Sequence, residues 1–265
     1  MTKHDRDTST PSHRDTIVDQ FTRQAVPFAT AEPIRDAASL QLLVDTAGTA
    51  ADDEVLDVAC GPGLVACAFA RVARRVVGVD LTPAMLEQAR ALAARDAIGN
   101  VEFRHGDVCP LPFDDASFSL VVSRFAFHHF PAPDAVLAEM RRVCRPGGRI
   151  VVADFLVSAD PAKAAAFHRM EMLRDPSHAR ALTRAELDAL FARAGLPLVR
   201  ESGWRMDIEV EGFLERSFPA PGDADVIRRM FEEAARDDGF GLDVRRRGDR
   251  ILFTYTNTIL VGARP

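Results

Sequence analysis

The sequence predicts an α/β fold with a doubly wound, mostly parallel sheet of seven strands, the last of them antiparallel. Short apolar segments alternate with helical segments between residues 54 and 155. Two of the strand segments, VVGV at 76–79 and IVVA at 150–153, are continuously apolar, as strands covered on both faces must be. Glycines and aspartates follow several strands, where open α/β sheets bind ligands. The 265 residues fit one such domain with an inserted segment.

The regular pattern lies in the first 155 residues. Residues 1–15 are polar and are predicted to be a mobile tail. Helices are predicted at 17–28 and 37–47, and strands at 54–58, 75–79, 101–105, 118–123 and 149–155. Further helices are predicted at 64–72, 83–94 and 134–144, the last stopped by Pro146-Gly147-Gly148.

The alternation becomes irregular after residue 155. Helices are predicted at 162–173 and, behind a capping box of Thr183 and Glu186, up to about residue 195. A strand is predicted at 198–204, whereas residues 205–250 contain two phenylalanine-containing helical stretches. The last strand, 251–261, has no regular crossover helix before it and is therefore predicted to be antiparallel.

Charge and composition exclude several classes of function. A net charge of −6 gives no general electrostatic reason to bind nucleic acid or anionic membranes. No stretch reaches about 18 apolar residues, so no integral membrane association is expected. The four cysteines lack the spacing of a metal site, and a cytoplasmic protein without a metal is expected. The run Arg245–Arg247 with Arg250 is either a solvated loop or a contact to an acidic substrate.

Unusual residues stand at the carboxyl ends of three predicted strands. The first strand runs into a loop in which Gly61 and Gly63 allow the backbone to approach a ligand closely. Asp80 ends the second strand and can accept hydrogen bonds from both ribose hydroxyls of a nucleoside. Asp107 follows the third and can accept from an adenine amino group. The pattern indicates a nucleoside-containing cofactor.

The loop differs from a dinucleotide site in two ways. The third glycine of such sites is replaced by Ala66. Asp57 stands just before the loop, where it would repel a pyrophosphate but suit a cationic amino group. A methionine-type α-ammonium group fits this loop better.

Six segments together resemble the class I S-adenosylmethionine-dependent methyltransferases, and within them the type 11 domain of ubiquinone and menaquinone biosynthesis methyltransferases. The resemblance covers roughly residues 55–155. Its segments are VLDVACGPG at 55–63, GVDLTPAML at 78–86, GDV at 106–108, LPFDDASF at 111–118, FHHF at 127–130 and LAEMRRVCRPGG at 137–148. Each segment alone is a weak signal, but their order and spacing make the combination specific.

The resemblance implies a Rossmann-like methyltransferase fold and a set of cofactor-binding residues. S-adenosyl-L-methionine is the implied cofactor, and S-adenosyl-L-homocysteine its product. Ala59 stands where a glycine is common, and a negative φ is expected there. The implied cofactor-binding residues are Asp57, Ala59, Cys60, Gly61, Gly63, Asp80, Leu81, Met85, Gly106, Asp107, Val108, Ser123 and Arg124.

Catalytic and acceptor-binding candidates lie around this site. Either His128 or His129 is a candidate general base, because imidazole titrates near neutral pH. In-line displacement at a sulfonium also proceeds without a base. The candidate substrate-binding residues are Phe21, Gln24, Phe28 and Phe155.

The sequence therefore predicts a methyltransferase domain at 16–265, with a cofactor-binding core at 37–155 and a final strand at 251–262. Residues 16–36 and 156–250 are predicted to form an inserted helical cover over the substrate. The expected partner is a small-molecule acceptor, and an aromatic or lipophilic acceptor is a hypothesis. The sequence does not identify the methylated atom, which is O, N or C. It also leaves the oligomeric state open, with a homodimer as one option. The alternatives are a nicotinamide-dependent oxidoreductase and a cofactor-binding protein without methyl transfer.

Overall fold

The computed structural model describes residues 12–265, and its elements alternate as the sequence predicts up to β5. The first part contains α1 (His13–Thr30), α2 (Glu32–Arg35), α3 (Ala37–Ala47), β1 (Glu54–Val58), α4 (Leu64–Ala70), β2 (Arg75–Asp80), α5 (Pro83–Arg95), β3 (Val101–His105), β4 (Phe118–Arg124), a single 3-10 turn (Phe127–His129), α6 (Pro133–Val143) and β5 (Cys144–Phe155). The second part contains α7 (Pro161–Arg174), α8 (Arg184–Arg193), β6 (Leu198–Glu209), α9 (Val210–Glu215), α10 (Asp223–Asp237), β7 (Arg245–Arg247) and β8 (Arg250–Ala263).

One twisted sheet organises the described residues. Its strand order is β3-β2-β1-β4-β5-β8-β6, with the short β7 paired to β8 as an eighth strand. The first five strands along this path are parallel, whereas β8 is antiparallel to β5, β6 and β7. The doubly wound fold with an antiparallel last strand is thus confirmed. The strand order reverses between β1 and β4, and ligands bind at such a switch point in open α/β sheets.

Apolar side chains cover both faces of the sheet. Helices α3 and α4 pack on one face, where Leu43 and Phe69 are fully buried with Val55 and Val151 of the sheet. Helices α6 and α8 cover the other face. A third cluster joins α7, α9 and α10 to the far ends of β6 and β8, around Phe231. This last cluster builds a platform beyond the sheet, next to the carboxyl ends of the parallel strands.

The structure corrects several element boundaries. Residues 12–15, predicted as part of a tail, begin α1 instead, because the Ser12 side chain and Asp15 form a reciprocal capping box; residues 1–11 of that tail lie outside the described residues. Strand β6 is longer than predicted and runs to Glu209, paired with β8 throughout. Helix α8 and strand β6, within the predicted cover 156–250, pack in the layers of the sheet itself.

The arginine run corrects a local interpretation. Residues 245–247 form strand β7 rather than a loop. Arg245 pairs with Asp207 of β6, and Arg246 pairs with Glu232 of α10. These ion pairs hold the hairpin against its neighbours. Across residues 12–265 we find no helix with the length and apolarity needed to cross a membrane.

Candidate active site

A cavity of about 360 Å³ lies at the carboxyl ends of β1, β2 and β4, and α1 covers it. We call it the first cavity. Its walls come from loops that follow the strands and from one face of α1. They include His13, Arg14, Ile17, Phe21, Phe28, Ile34, Ala59, Cys60, Gly61, Pro62, Asp80, Leu81, Thr82, Met85, Asp107, Val108, Arg124, Phe125, His129 and Phe130.

Asp80 is the best-positioned acceptor in the first cavity. Its Oδ2 accepts a hydrogen bond from the backbone N–H of Gly61 at 2.8 Å, and its Oδ1 accepts one from Thr82 at 2.8 Å. These bonds fix the carboxylate between the first and second strand loops. Burial raises its pKa, although both backbone donors oppose that shift. Each oxygen keeps a further lone pair for a ligand hydroxyl.

A carboxyl group below the first cavity and a guanidinium in its wall each have an atom without a hydrogen-bond partner. Asp57 Oδ2 and Arg124 Nη1 are both buried without a hydrogen-bond partner. Arg124 is held by Nη2, which donates to the carbonyl of Ile34 at 2.5 Å. Burial raises the pKa of Asp57 to about 8 and lowers that of Arg124 to about 10. A ligand that carries an ammonium and a carboxylate together would supply both missing partners.

The cavity loops contain strained backbone. Ala59 has a φ of 56°, which corrects the expectation of a negative φ at this position. Phe125, just after β4, has a φ of 54°. Side chains other than glycine are disfavoured in this left-handed region, and such strain is concentrated at ligand sites. Gly61 also has a positive φ, of 51°, and the space beside its Cα is open, because no atom lies within 4 Å of the position that a Cβ would occupy.

Helix α1 is tied to the site at its first turn. The His13 Nε2–H donates to the carbonyl of His129 at 2.8 Å, and Arg14 pairs with Asp107 at 3.1 Å. The sequence reasoning missed both residues because it assigned them to the tail. The capping pattern from Ser12 to Asp15 was the signal that could have placed them on a helix.

Nine of the thirteen predicted cofactor-binding residues line the first cavity, and four do not. Asp57 lies below the lining. Gly63 caps α4, where a Cβ would come within 2.9 Å of Ala89 and Phe103, so close packing accounts for this glycine. Gly106 packs against Pro112 and Val79 in the same way. Ser123 is buried and donates to the carbonyl of Val58 at 2.9 Å, which ties β4 to β1.

A second cavity of about 70 Å³ adjoins the first. Five residues belong to the walls of both cavities: Phe21, Phe28, Ile34, Phe125 and His129. The remaining wall of the second cavity comes from α1, the platform cluster and β8, and consists of Gln24, Pro33, His128, Phe155, Arg174, Asp175, Met206, Ile208, Phe213, Arg216, Ser217 and Tyr255. All four predicted substrate-binding residues are among these wall residues.

His128 forms a buried pair with Asp154 at the end of β5. Its Nδ1–H donates to the carboxylate, with distances of 2.9 Å and 3.0 Å to the two oxygens. The backbone N–H of Phe155 holds the same carboxylate at 2.8 Å. This pairing places a hydrogen on Nδ1, and Nε2 has no hydrogen-bond partner among the described residues. The sequence did not single out Asp154, although this aspartate lies at the carboxyl end of a buried strand, as Asp80 does.

His129 is bound in a different way. Its Nδ1 lies 3.0 Å from the carbonyl oxygen of Ser177 and 3.1 Å from the Ser177 hydroxyl, which itself donates to Asp175 at 2.5 Å. Burial lowers the pKa of His129 to about 3, and the neighbouring His128 adds to that shift. His129 is therefore neutral near pH 7 and a weak base. Its ring packs edge-on against Phe21, and both residues line both cavities.

A buried polar network lies behind the second cavity. Glu171 accepts from the Tyr255 hydroxyl at 2.9 Å and from Arg174 at 2.5 Å and 3.0 Å. Arg174 lies 3.7 Å from the carboxylate of Asp175 and donates to the Ser217 hydroxyl at 3.1 Å. No local sequence pattern indicates this network, because its members lie at α7, just after α9 and on β8.

Comparisons with known proteins agree with this geometry. Residues 56–152 match the family model described as methyltransferase domain. The uncharacterized methyltransferase YcgJ of Bacillus subtilis is 29% identical over 247 residues, which cover 92% of this chain and 97% of that protein. Its crystal structure superposes with a TM-score of 0.79 at 28% identity, covering 86% of this chain and 98% of that one.

Two further relatives support the same assignment. The crystal structure of a candidate methyltransferase from Bacillus halodurans superposes with a TM-score of 0.80 at 27% identity, covering 86% of this chain and all of that one. The demethylmenaquinone methyltransferase of Clavibacter sepedonicus is 41% identical over 105 residues, which cover 40% of this chain and 42% of that protein.

Proposed function

Because the chain belongs to the class I S-adenosylmethionine-dependent methyltransferases, we propose that it methylates a small molecule held in the second cavity, with the methyl donor bound in the first. One observation carries this proposal: the two cavities share a wall of five residues, so ligands in them would meet at His129 and Phe125. Methyl transfer is an in-line displacement and requires donor and acceptor to be aligned and shielded from water. Adjoining cavities under one helix meet that need.

The residues of the first cavity fit S-adenosylmethionine. Asp80 would hold the ribose hydroxyls, and Asp107 and Val108 would lie at the adenine edge. The unsatisfied atoms of Asp57 and Arg124 would bind the ammonium and carboxylate of the methionine part. When bound, the cofactor supplies a methyl group on a positively charged sulfur, which leaves as a neutral thioether.

We assign proton removal to His128 and not to His129. Where the acceptor is a hydroxyl or an amine, its proton would pass to the free Nε2 of His128. Asp154 would act as a positioning residue that stabilises the resulting imidazolium. His129 would remain neutral because its pKa is lowered, and it would contact the ligands of both cavities.

The acceptor is proposed to be aromatic or lipophilic, because the second cavity is walled largely by phenylalanine, isoleucine, methionine and tyrosine. The segments 16–36 and 156–250 would act as its cover. Only part of the second segment faces the cavities, namely α7, α9 and the end of β6. The match to the demethylmenaquinone methyltransferase covers less than half of either chain, so it supports the cofactor chemistry and not a quinone acceptor.

Calorimetric titration of the full chain with S-adenosylhomocysteine, S-adenosylmethionine and NADH tests the donor site. We expect both sulfur compounds to bind and NADH not to bind. Binding of NADH alone would favour the oxidoreductase alternative. A screen of aromatic and lipophilic acceptors for S-adenosylhomocysteine production follows; tight cofactor binding with no turnover on any acceptor would favour a cofactor-binding protein without methyl transfer.

A further inference from the structure

Most basic side chains of this protein are either exposed or paired with a carboxylate. Among the described arginines that are buried or half-buried, three have no carboxylate within 4.0 Å: Arg124, Arg216 and Arg264. Arg264 binds backbone carbonyls of Arg142 and Cys144 at the opposite end of the sheet. The other two each line one of the two cavities. An unpaired, half-buried guanidinium in a ligand cavity is a cation without a partner.

Arg216 differs from the second arginine in the same wall. Arg174 is held by Glu171, Asp175 and Ser217. Arg216 donates only to the carbonyl of Gly212, at 2.6 Å, within its own helical turn. Its guanidinium lies 5.9 Å from the centre of the Phe213 ring.

The acidic groups of this wall already have partners. Asp175 accepts from the backbone and side chain of Ser177, Glu171 accepts from Tyr255 and Arg174, and Asp154 is bound to His128. Glu209 and Glu215 act on Arg216 only at longer range. Burial lowers the pKa of Arg216, and the charge of Arg174 adds to that shift. Arg216 thus carries a partly desolvated positive charge at the cavity, and no carboxylate of the described residues pairs with it.

Resting on the proposed function, we propose that Arg216 determines acceptor specificity by binding an anionic group, so that the acceptor is a flat aromatic molecule with a carboxylate. Arginine presents two parallel N–H groups that match a carboxylate. The aromatic walls, with Phe155 stacked on Tyr255 at 4.5 Å between ring centres, suit a flat ring. His128 and Arg216 both line this second cavity.

Ligand-observed NMR on the full chain saturated with S-adenosylhomocysteine tests this proposal. The probes are matched pairs of benzoate, hydroxybenzoate, naphthoate and indole carboxylates with their methyl esters. We expect the acids to bind and the esters to bind more weakly. In Arg216→Gln the preference for the acid should fall roughly ten- to a hundredfold, as the loss of a charge-assisted bidentate contact predicts.

Two controls separate this proposal from the proposed function. Arg229→Gln removes an exposed arginine of α10 and should leave the acid preference unchanged. Titration with S-adenosylhomocysteine should give the same affinity in wild type, Arg216→Gln and Arg229→Gln. If the cofactor does not bind the wild type, the proposed function fails. If it binds but no acid binds, or acids and esters bind equally, or Arg216→Gln keeps the preference, the acidic acceptor is wrong and the methyltransferase assignment stands.

Discussion

The two cavities adjoin each other but are assembled from very different parts of the chain. In the first, thirteen of the wall residues lie between residues 59 and 109, in or beside the loops after β1, β2 and β3. The second takes its polar groups from α1, the 3-10 turn, the carboxyl ends of α7 and α9, and β8, which span residues 24 to 255. The first is also built on buried parallel strands, whereas the second rests on the platform around Phe231. Cofactor recognition is thus local in sequence, and acceptor recognition is distributed.

The largest expected effect is a loss of catalytic rate in the second cavity with no change in cofactor binding in the first. His128→Ala removes the proposed base and should lower kcat by roughly 10²- to 10⁴-fold for a hydroxyl or amine acceptor. The affinity for S-adenosylhomocysteine, measured by calorimetry, should not change. Asp154→Asn should lower kcat less and shift the pH–rate profile. An unchanged kcat in His128→Ala would show that the site works by alignment alone.

Asp80 provides the reciprocal test in the first cavity. Asp80→Ala removes an acceptor bonded to Gly61 and Thr82, and we expect S-adenosylhomocysteine to bind roughly ten- to a hundredfold more weakly. Asp80→Asn keeps the size and should lose less. Circular dichroism controls for folding. Equal affinity in Asp80→Ala and wild type would place the cofactor elsewhere.

Asp57 gives the first cavity a pH dependence. Its pKa is raised to about 8 by burial, so the carboxyl is largely protonated at pH 7 in the free protein. An ammonium group bound nearby should ionise it, and binding should release about one proton. Calorimetry of S-adenosylhomocysteine binding in buffers of different protonation enthalpy measures this release. In Asp57→Asn the release should disappear.

The same carboxyl should make the free protein less stable as pH rises. Between its ordinary pKa of 3.8 and the raised value near 8, the folded state binds a proton that the unfolded state has lost. The free energy of unfolding should therefore fall across this interval, and Asp57→Asn should reduce the slope in urea titrations. A slope identical to that of the wild type would mean that Asp57 is ionised in the free protein.

The smallest expected effect concerns the strained loop. Ala59→Gly relieves a positive φ and should raise the free energy of unfolding by up to about 1 kcal/mol. Ala68→Gly, inside α4, should instead lower it by about 1 kcal/mol. Urea denaturation compares the two. A loss of stability in both would show that the left-handed conformation carries no cost here.

The contrast between the cavities also explains what the sequence could predict. Strands β1 and β3 and helix α3 match their predicted bounds. Glycine follows β3 and α3 directly, at Gly106 and Gly48, and β1 runs into the loop of Gly61. Nine of the predicted cofactor-binding residues line the first cavity, and the motif keeps them within a few residues of a strand end. For Gly63 and Gly106 the sequence does not distinguish close packing from ligand approach, because both require glycine.

The acceptor side could be predicted only in part. Phe21, Gln24, Phe28 and Phe155, predicted to bind the substrate, line the second cavity. The sequence did not single out Arg174, Arg216 and Tyr255 of the same wall, or Asp154 behind His128. These last residues become neighbours only through the antiparallel pairing of β8 and the packing of α7 and α9 on it. No periodicity or spacing in the sequence indicates that these residues become neighbours. The polar composition of residues 1–15 predicts a tail that includes His13 and Arg14, although the capping box of Ser12 and Asp15 indicates a helix there.

Helix α1 contributes residues to both cavities, and this gives the protein a thermodynamic constraint. Phe21 and Phe28 line both cavities and would contact a ligand in either of them. Gln20 and Gln24 donate hydrogen bonds to the carbonyl of Ser217 and so hold the helix in place. If a ligand in one cavity orders the residues that both cavities share, the two binding equilibria are linked. Linkage is reciprocal: the factor by which the donor strengthens acceptor binding equals the factor by which the acceptor strengthens donor binding. The same helix would then retain both products until it moves, which makes its opening a candidate for the slowest step of turnover.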